Sequence, residues 1–367
     1  MRNVQRIAVV GGGVIGLATA WRVAATGRRV TVIDPTPLRG GGSWVAAGML
    51  APVTEAWLGE EHVLAFGAES LARWPGFAAD LTDPPGLRRE GTLALALDAA
   101  DAEDQHRLAD FLSALGREVQ RLTARQVREL EPGTSPVRSG LLVPGDLSVD
   151  SRRLLRSLAA EATAAGVEFR TERAVSVRDG GVELADGSTV ECDEAVIAAG
   201  AWSRALHPAL ETLVRPVKGE VLRLRSRPSA LPPPTRTLRA HVESRPVYLV
   251  PRDGGELVVG ATQHEVGYDT EVTAAGVRDL LTDAERVLPG VREYALVEAV
   301  AGLRAGSPDN LPLLGRLGPG VLVATGHHRN GVLMAPVTAD AVVALLRGDT
   351  PPDHVLAAAP SRFPGAT

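Results

Sequence analysis

The chain has 367 residues, 45% of them hydrophobic and 23% charged, an ordinary globular balance that implies two or three structural units and a large buried core. A formal net charge of −5 excludes nucleic acid as the main partner, since such binding needs a strongly basic face. The single cysteine, Cys192, excludes an internal disulfide and a cysteine-based zinc site, and no metal is expected.

The N-terminal stretch Met1 to Arg6 carries no secretory pattern. Arg6 to Val10 is a continuous apolar run, as expected of a buried parallel strand, and glycines 11 to 13 turn the chain. Val14 to Thr26 reads as a helix ended by Gly27, and Val30 to Ile33 as a second strand ending at Asp34. Glu60 to Leu81 reads as helix, Gly91 to Leu97 as strand, and Ala99 to Glu131 as helix broken near Gly116. After a short strand at Gly140 to Pro144, Asp150 precedes a periodic helix from Ser151 to Ala165, closed by Gly166. Val167 to Cys192 reads as a strand and a small meander with an Asp186-Gly187 hairpin turn. Ala195 to Ala199 is a buried strand running into Gly200. From Arg215 to Arg225 the pattern becomes antiparallel, with paired strands at Val247 to Pro251 and Glu256 to Gly260. Lys218, here, is the only lysine, which fits codon bias in a GC-rich source and leaves few candidates for Schiff-base chemistry. A helix at Ala274 to Leu288, strands at Val297 to Arg304 and Gly320 to Thr325, and a helix at Ala335 to Arg347 follow. The last residues, with Pro360, Pro364, Gly365 and Ala366, are the one stretch where disorder is expected. No apolar run reaches bilayer length, so a cytoplasmic protein with no membrane partner is expected. The whole reads as an α/β fold, a parallel nucleotide-binding domain interleaved with antiparallel insertions.

Gly11-x-Gly13-x-x-Gly16 lies between a predicted strand and a predicted helix. Gly11 permits the tight turn, Gly13 the approach of a pyrophosphate, and Gly16 the packing of helix on strand. Asp34 lies about 20 residues on, where a carboxylate binds a ribose diol; a plain surface acid is the alternative. The motif alone does not choose between NAD and FAD. Glu194 to Ser203, an apolar strand ending at Gly200, suits a flavoprotein in which such a strand passes beside the cofactor, and equally a simple core strand with a turn.

Four blocks carry a wider resemblance: Val9 to Gly16, Ser43 to Pro52, Val300 to Arg304 with Asp309 to Pro312, and Gly326 to Pro336. Through them the chain resembles the D-amino acid oxidase superfamily of flavoenzymes, and within it the glycine oxidases of thiamine biosynthesis (ThiO), over about Arg6 to Arg347. The resemblance implies a Rossmann-type FAD-binding domain (1–85, 145–215 and 300–350) interleaved with an α+β substrate domain on an antiparallel sheet (86–144 and 216–299), then a tail (351–367). It implies FAD contacts at Gly11, Gly13, Val14, Ile15, Gly16, Asp34, Ser43, Ala47, Gly48, Met49, Val175 and Gly200. It adds His327, His328, Arg329, Asn330, Gly331, Val332 and Leu333, whose backbone would run near the flavin. FAD is expected to be non-covalent, because Cys192 lies away from the C-terminal region where sarcosine oxidases attach it.

The resemblance assigns the substrate carboxylate to Arg304, whose planar, permanently charged guanidinium offers a bidentate fork. Arg329 is a second candidate. Tyr248 matches a pocket tyrosine, though an apolar strand also accommodates a core tyrosine with a satisfied hydroxyl. Two positions depart from the family pattern: His328 stands where Tyr or Phe is usual, which would tie the pocket to pH near neutrality, and Gly42 replaces a residue with a side chain. The implied reaction is oxidation of glycine, or of sarcosine and small D-amino acids, by hydride transfer to flavin with peroxide formed from dioxygen, without a strong general base. The alternatives are a dehydrogenase that passes electrons to another carrier, and a flavin-binding scaffold without catalysis. The resemblance also implies a homo-oligomer, a tetramer.

Overall fold

A computed structural model describes residues 4–365. Residues 1–3 of the stretch read for targeting, and Ala366, lie outside it.

The first strand, Arg6–Val10, buries its last four residues. Its side chains alternate between two cores, as the period-2 geometry of a strand requires. Ile7 and Val9 face a cluster built with helices Val14–Ala24, Ser151–Ala164 and Ala335–Arg347, and Ala8 and Val10 face a second cluster with Val177, Val182 and Leu206. A strand covered on both faces must be apolar throughout, which is why the run carries no alternation of polarity. The sheet runs Leu313–Gly318, Val321–Thr325, Glu194–Ile197, Arg6–Val10, Arg29–Ile33, Glu168–Arg170, parallel except for Leu313–Gly318 at its edge. The helices end where glycine allows a left-handed backbone: Gly166 (φ 81°) and Gly348 (φ 80°) close the second and third. Asp150 caps the Ser151–Ala164 helix by accepting from the N–H groups of Arg152 and Arg153.

A second sheet of eight strands runs Ala295–Gly306, Arg215–Arg225, Glu256–Gly260, Arg245–Pro251, Thr237–Val242, Thr92–Ala96, Ser139–Val143, Gln120–Thr123. It is antiparallel except where Thr237–Val242 pairs with Thr92–Ala96. Each sheet therefore draws on separated stretches of chain, as the interleaved reading expects.

Three expectations are corrected. The helix placed between Gly116 and Glu131 is instead the strand Gln120–Thr123 followed by the short helix Ala124–Leu130, because Thr123 and Gln126 form a reciprocal capping box that starts a new helix there. Thr237–Val242 and Leu313–Gly318 are strands in stretches where no element is expected. The C-terminal tail is docked: Arg362 donates to Asp309 at 2.8 and 2.9 Å and to the Leu311 carbonyl at 2.8 Å, and Asp353–Leu356 is helical.

Trp74, on helix Glu61–Ala79, is fully buried, and its Nε1 donates to the Leu333 carbonyl at 2.8 Å; Ser70 Oγ donates to the same oxygen at 2.7 Å. Replacing Trp74 with Ala opens a large cavity and removes one donor. A loss of about 3–5 kcal/mol is expected, read as a lower urea midpoint for the first unfolding transition.

Candidate functional site

A cavity of about 730 Å³ lies where both sheets contribute residues. Gly11, Gly13, Val14, Ile15 and Asp34 line it from the parallel sheet, and Ser43, Ala47, Gly48 and Met49 from the following segment. Val175 and Gly200 line it, as do Tyr248 and Arg304 from the eight-stranded sheet. His327, His328, Arg329, Gly331 and Val332 contribute from the turn after Val321–Thr325. Gly16, Asn330 and Leu333 do not line it. Gly16 sits under the turn, where a Cβ would lie 1.8 Å from the Gly11 carbonyl oxygen. Asn330 and Leu333 face a separate hollow of about 10 Å³.

The glycine loop is held by its own acid. Gly11 has φ 114°, and a Cβ there would lie 2.4 Å from the Ala198 carbonyl oxygen, so no other residue fits. Asp34 Oδ2 accepts the Gly12 N–H at 2.6 Å and its Oδ1 accepts from Thr36 at 2.8 Å. Each carboxylate oxygen keeps a further lone pair for a ligand hydroxyl. Ser43 Oγ accepts the Val14 N–H at 3.0 Å and so caps a helix whose N-cap, Gly13, has no side chain.

Arg304 and Tyr248 each lie over a glycine of the eight-stranded sheet. A Cβ on Gly219 would meet the Arg304 guanidinium at 2.4–2.6 Å, and one on Gly260 would meet the Tyr248 hydroxyl at 2.3 Å. Arg304 Nη1 donates to the carbonyls of Thr262 at 3.2 Å and Lys218 at 3.4 Å, and among the described residues it has no carboxylate partner. Burial raises the Tyr248 hydroxyl above its usual pKa, against the pull of Arg304 beside it, so the phenol stays protonated.

Arg329 is placed differently. It donates to Glu60 Oε2 at 2.8 Å and to the Glu55 carbonyl at 3.1 Å, and its Cζ lies 5.0 Å from the centroid of the Trp57 ring. Its charge is already matched within the protein. Gly42, the other departure, is a packing glycine: a Cβ would lie 2.6 Å from the Leu303 carbonyl oxygen, on the strand that carries Arg304.

Sequence reading missed Glu55, which lines the cavity in an ion pair with Arg239, and Arg252, which is buried and donates to the Ala47 carbonyl. Burial lowers Arg252 to about 10, so it stays charged at neutral pH. Gly219 and Gly260 did carry a signal, since a glycine inside an apolar strand marks close approach by another group.

His328 does not titrate near neutrality. Burial, together with Arg329, Arg304 and Arg215, lowers it to about 3, and burial alone lowers His327 to about 3. Arg329 Nη1 lies 3.5 Å from His328 Nδ1, and a guanidinium only donates, so the neutral ring carries its proton on Nε2. That Nε2 is buried without a partner.

Both histidines are held below their ordinary value of 6.5 in the fold, so the unfolded chain binds protons that the folded chain refuses. Their contribution to stability is complete above pH 6.5 and is lost as pH falls toward 3. Asp146, raised from 3.8 to about 7 by burial, acts in the opposite sense: its contribution is present in acid and is lost as pH rises through 7. Two groups outweigh one, so these residues make the protein less stable on mild acidification. Melting temperatures in neutral and mildly acid buffers should show this fall, and His328→Phe should make it shallower.

The family described as FAD dependent oxidoreductase (DAO) matches residues 6–345. Glycine oxidase of Geobacillus kaustophilus is 32% identical over 352 residues, 90% of this chain and 90% of its own. A crystal structure of glycine oxidase from that organism aligns with TM-score 0.90 and 31% identity over 99% of this chain and 100% of that one. The bifunctional protein ThiO/ThiG of Nostoc sp. is 33% identical over 93% of this chain, which spans 52% of that longer protein. Iminodiacetate oxidase from Chelativorans sp. BNC1 aligns with TM-score 0.83 and 25% identity over 95% of this chain and 98% of that one. The residues present suit the cofactor that the family uses. The Gly11 turn admits a phosphate, Asp34 retains lone pairs for a diol, and the orphaned His328 Nε2 leaves a donor for a ligand oxygen. A match across nearly the whole chain, on a cavity fitted for a dinucleotide, makes this protein a member of the DAO family of FAD-dependent oxidoreductases.

Proposed function

We propose that the protein oxidises small amino acids, glycine foremost, to the imine, that dioxygen takes up the electrons as hydrogen peroxide, and that the reaction serves thiamine thiazole synthesis. The observation that carries this reading is Arg304: a guanidinium at the cavity wall whose only protein acceptors among the described residues are two carbonyls. Such a group is suited to a substrate carboxylate. The name glycine oxidase supports the substrate class, and the name of a 32% identical relative in Rhizobium etli, putative thiamine biosynthesis oxidoreductase ThiO, supports the pathway.

Bound FAD supplies the two-electron acceptor. The chain's own residues bind and orient. Arg304 fixes the carboxylate end of the substrate, and its flat seat over Gly219 limits how the guanidinium can turn. The protonated Tyr248 hydroxyl closes the same end and offers a donor. Burial and the neighbouring arginines lower His328 to about 3, so its ring resists taking up a proton and does not act as a strong base. Gly11, Gly13, Val14, Asp34, Ser43 and Ala47 to Met49 would hold the cofactor, with Val175, Gly200 and the turn from His327 to Val332. Attachment is non-covalent in this reading, because Cys192 is buried in an apolar cluster and its thiol is pushed up to about 11. The six-stranded and eight-stranded sheets would form the cores of the FAD and substrate domains.

The test is peroxide release in air from the purified yellow protein with glycine, sarcosine and D-alanine. Arg304→Ala should lower kcat/KM for glycine by about 10²–10³, mostly through KM, at unchanged flavin content. Gly219→Ala, which displaces the guanidinium without removing it, should fall between. Normal glycine turnover by Arg304→Ala would sink the site assignment. Anaerobic bleaching of the flavin without peroxide in air would replace the oxidase with a dehydrogenase.

A further inference from the structure

The eight-stranded sheet presents another arginine beside Tyr248. Arg239 is the direct cross-strand partner of Tyr248, and such partners project from the same face of a sheet. Its neighbour on the other side is Ala94, whose side chain is too small to pair with it. Arg239 is held by Glu55; the two side chains are 17% and 10% exposed. Glu55, not Arg239, reaches the cavity wall. Glu55, Tyr248 and Arg304 line the cavity, and Arg239 lies behind Glu55 beside Tyr248.

The charges at this end divide unevenly. Arg329 is matched by Glu60 and Arg239 by Glu55, while Arg304 has no carboxylate partner among the described residues. One unmatched guanidinium suits a ligand with one carboxylate. A second carboxylate entering this end would meet Glu55, a like charge in a half-buried site, before it could reach Arg239. The Glu55 carboxylate is held by its ion pair with Arg239, and Arg329 donates to the Glu55 backbone carbonyl at 3.1 Å.

We propose that Glu55 masks Arg239, a latent second carboxylate subsite, and that this masking restricts the pocket to amines with a single carboxylate. The proposal rests on the reading of Arg304 as the anchor for the first carboxylate. The strands bearing Arg304 and Arg239 are four steps apart, about 19 Å, so a dicarboxylate could bridge the two guanidiniums only where both long side chains lean inward, as Arg304 does over Gly219, and an extended one is required.

The experiment uses the FAD-loaded enzyme and two readouts. The first is binding, from the change in flavin absorbance on titration with acetate, malonate, succinate and glutarate. The second is kcat/KM for glycine and for iminodiacetate. The wild type should bind acetate at least as tightly as any dicarboxylate. Glu55→Ala should shift the preference toward succinate or glutarate by about tenfold or more, and raise the iminodiacetate-to-glycine ratio similarly. Glu55→Gln, which removes the charge but keeps the cover, should give a smaller shift in the same direction and serves if the alanine variant does not fold. Adding Arg239→Leu to Glu55→Ala should abolish the gain. An unchanged preference in both Glu55 variants overturns the proposal, as does a gain that survives the loss of Arg239. Glycine turnover by the wild type without any dicarboxylate shift overturns the subsite and leaves the glycine reading standing. A dicarboxylate shift without turnover of any amine does the reverse.

Discussion

The site depends on keeping one guanidinium unneutralised in a partly buried place. A buried charge normally draws a counter-ion, because desolvation is costly without one. Arg304 is instead satisfied in part by the carbonyl oxygens of Thr262 and Lys218, which carry partial rather than full negative charge. That leaves most of its field available to a ligand. The arrangement requires the guanidinium to lie flat against the backbone, which is why the position beneath it is Gly219. The same device recurs for Tyr248 over Gly260. Two glycines that weaken their strands intrinsically are kept where side chains must cross the sheet face.

Around that charge, the cavity wall is assembled from both sheets and from loops that belong to neither, and buried polar contacts join them. The Leu333 carbonyl receives donors from Ser70 and Trp74, which anchors the segment that carries His327 to Val332. Arg252 reaches from the eight-stranded sheet to the Ala47 carbonyl, and Gly48 must be glycine there because a Cβ would strike the Val149 carbonyl oxygen at 2.0 Å. Gly42 and Gly302 let the Gly42–Val45 turn rest on the strand of Arg304. The loops of the cavity wall and the eight-stranded sheet are thus set relative to each other by close backbone approach at these glycines together with the Arg252 bond.

What could be read from the sequence follows from the range of the signals. The glycine loop, Asp34, the parallel strands and the helix ends at Gly27 and Gly166 are encoded within a few residues, and they stand as expected. Thr237–Val242 went unread because Arg239 and His241 break the apolar run, although Leu238, Ala240 and Val242 alternate inward. Of the site residues expected within the four resembling blocks, all but Gly16, Asn330 and Leu333 line the cavity. Glu55 and Arg239 were invisible because their pairing spans 184 positions and neither sits in a distinctive local pattern. His328 shows the converse failure. Its identity suggested a neutral-pH switch, but the environment, burial among three arginines, removes that behaviour.

The segment from Thr54 to Glu60 shows how specificity and local stability become one problem. Trp57 and Leu58 are exposed, so apolar burial does little to hold the tip. Polar side chains do most of the work: Thr54 bonds to buried Asp146, Glu55 pairs with Arg239, and Glu60 bonds to both Arg329 and Asn310. Each of these partners lies on a different part of the fold. Asp146, raised to about 7 by burial, is largely protonated in mild acid, so the contact to Thr54 then needs no counter-ion. Because these pairs are partly shielded from solvent, salt screens them weakly. The charge of Glu55 therefore cannot be altered without also loosening a tether of this segment, and the charge pattern of the pocket and the placement of its wall are set by the same bonds.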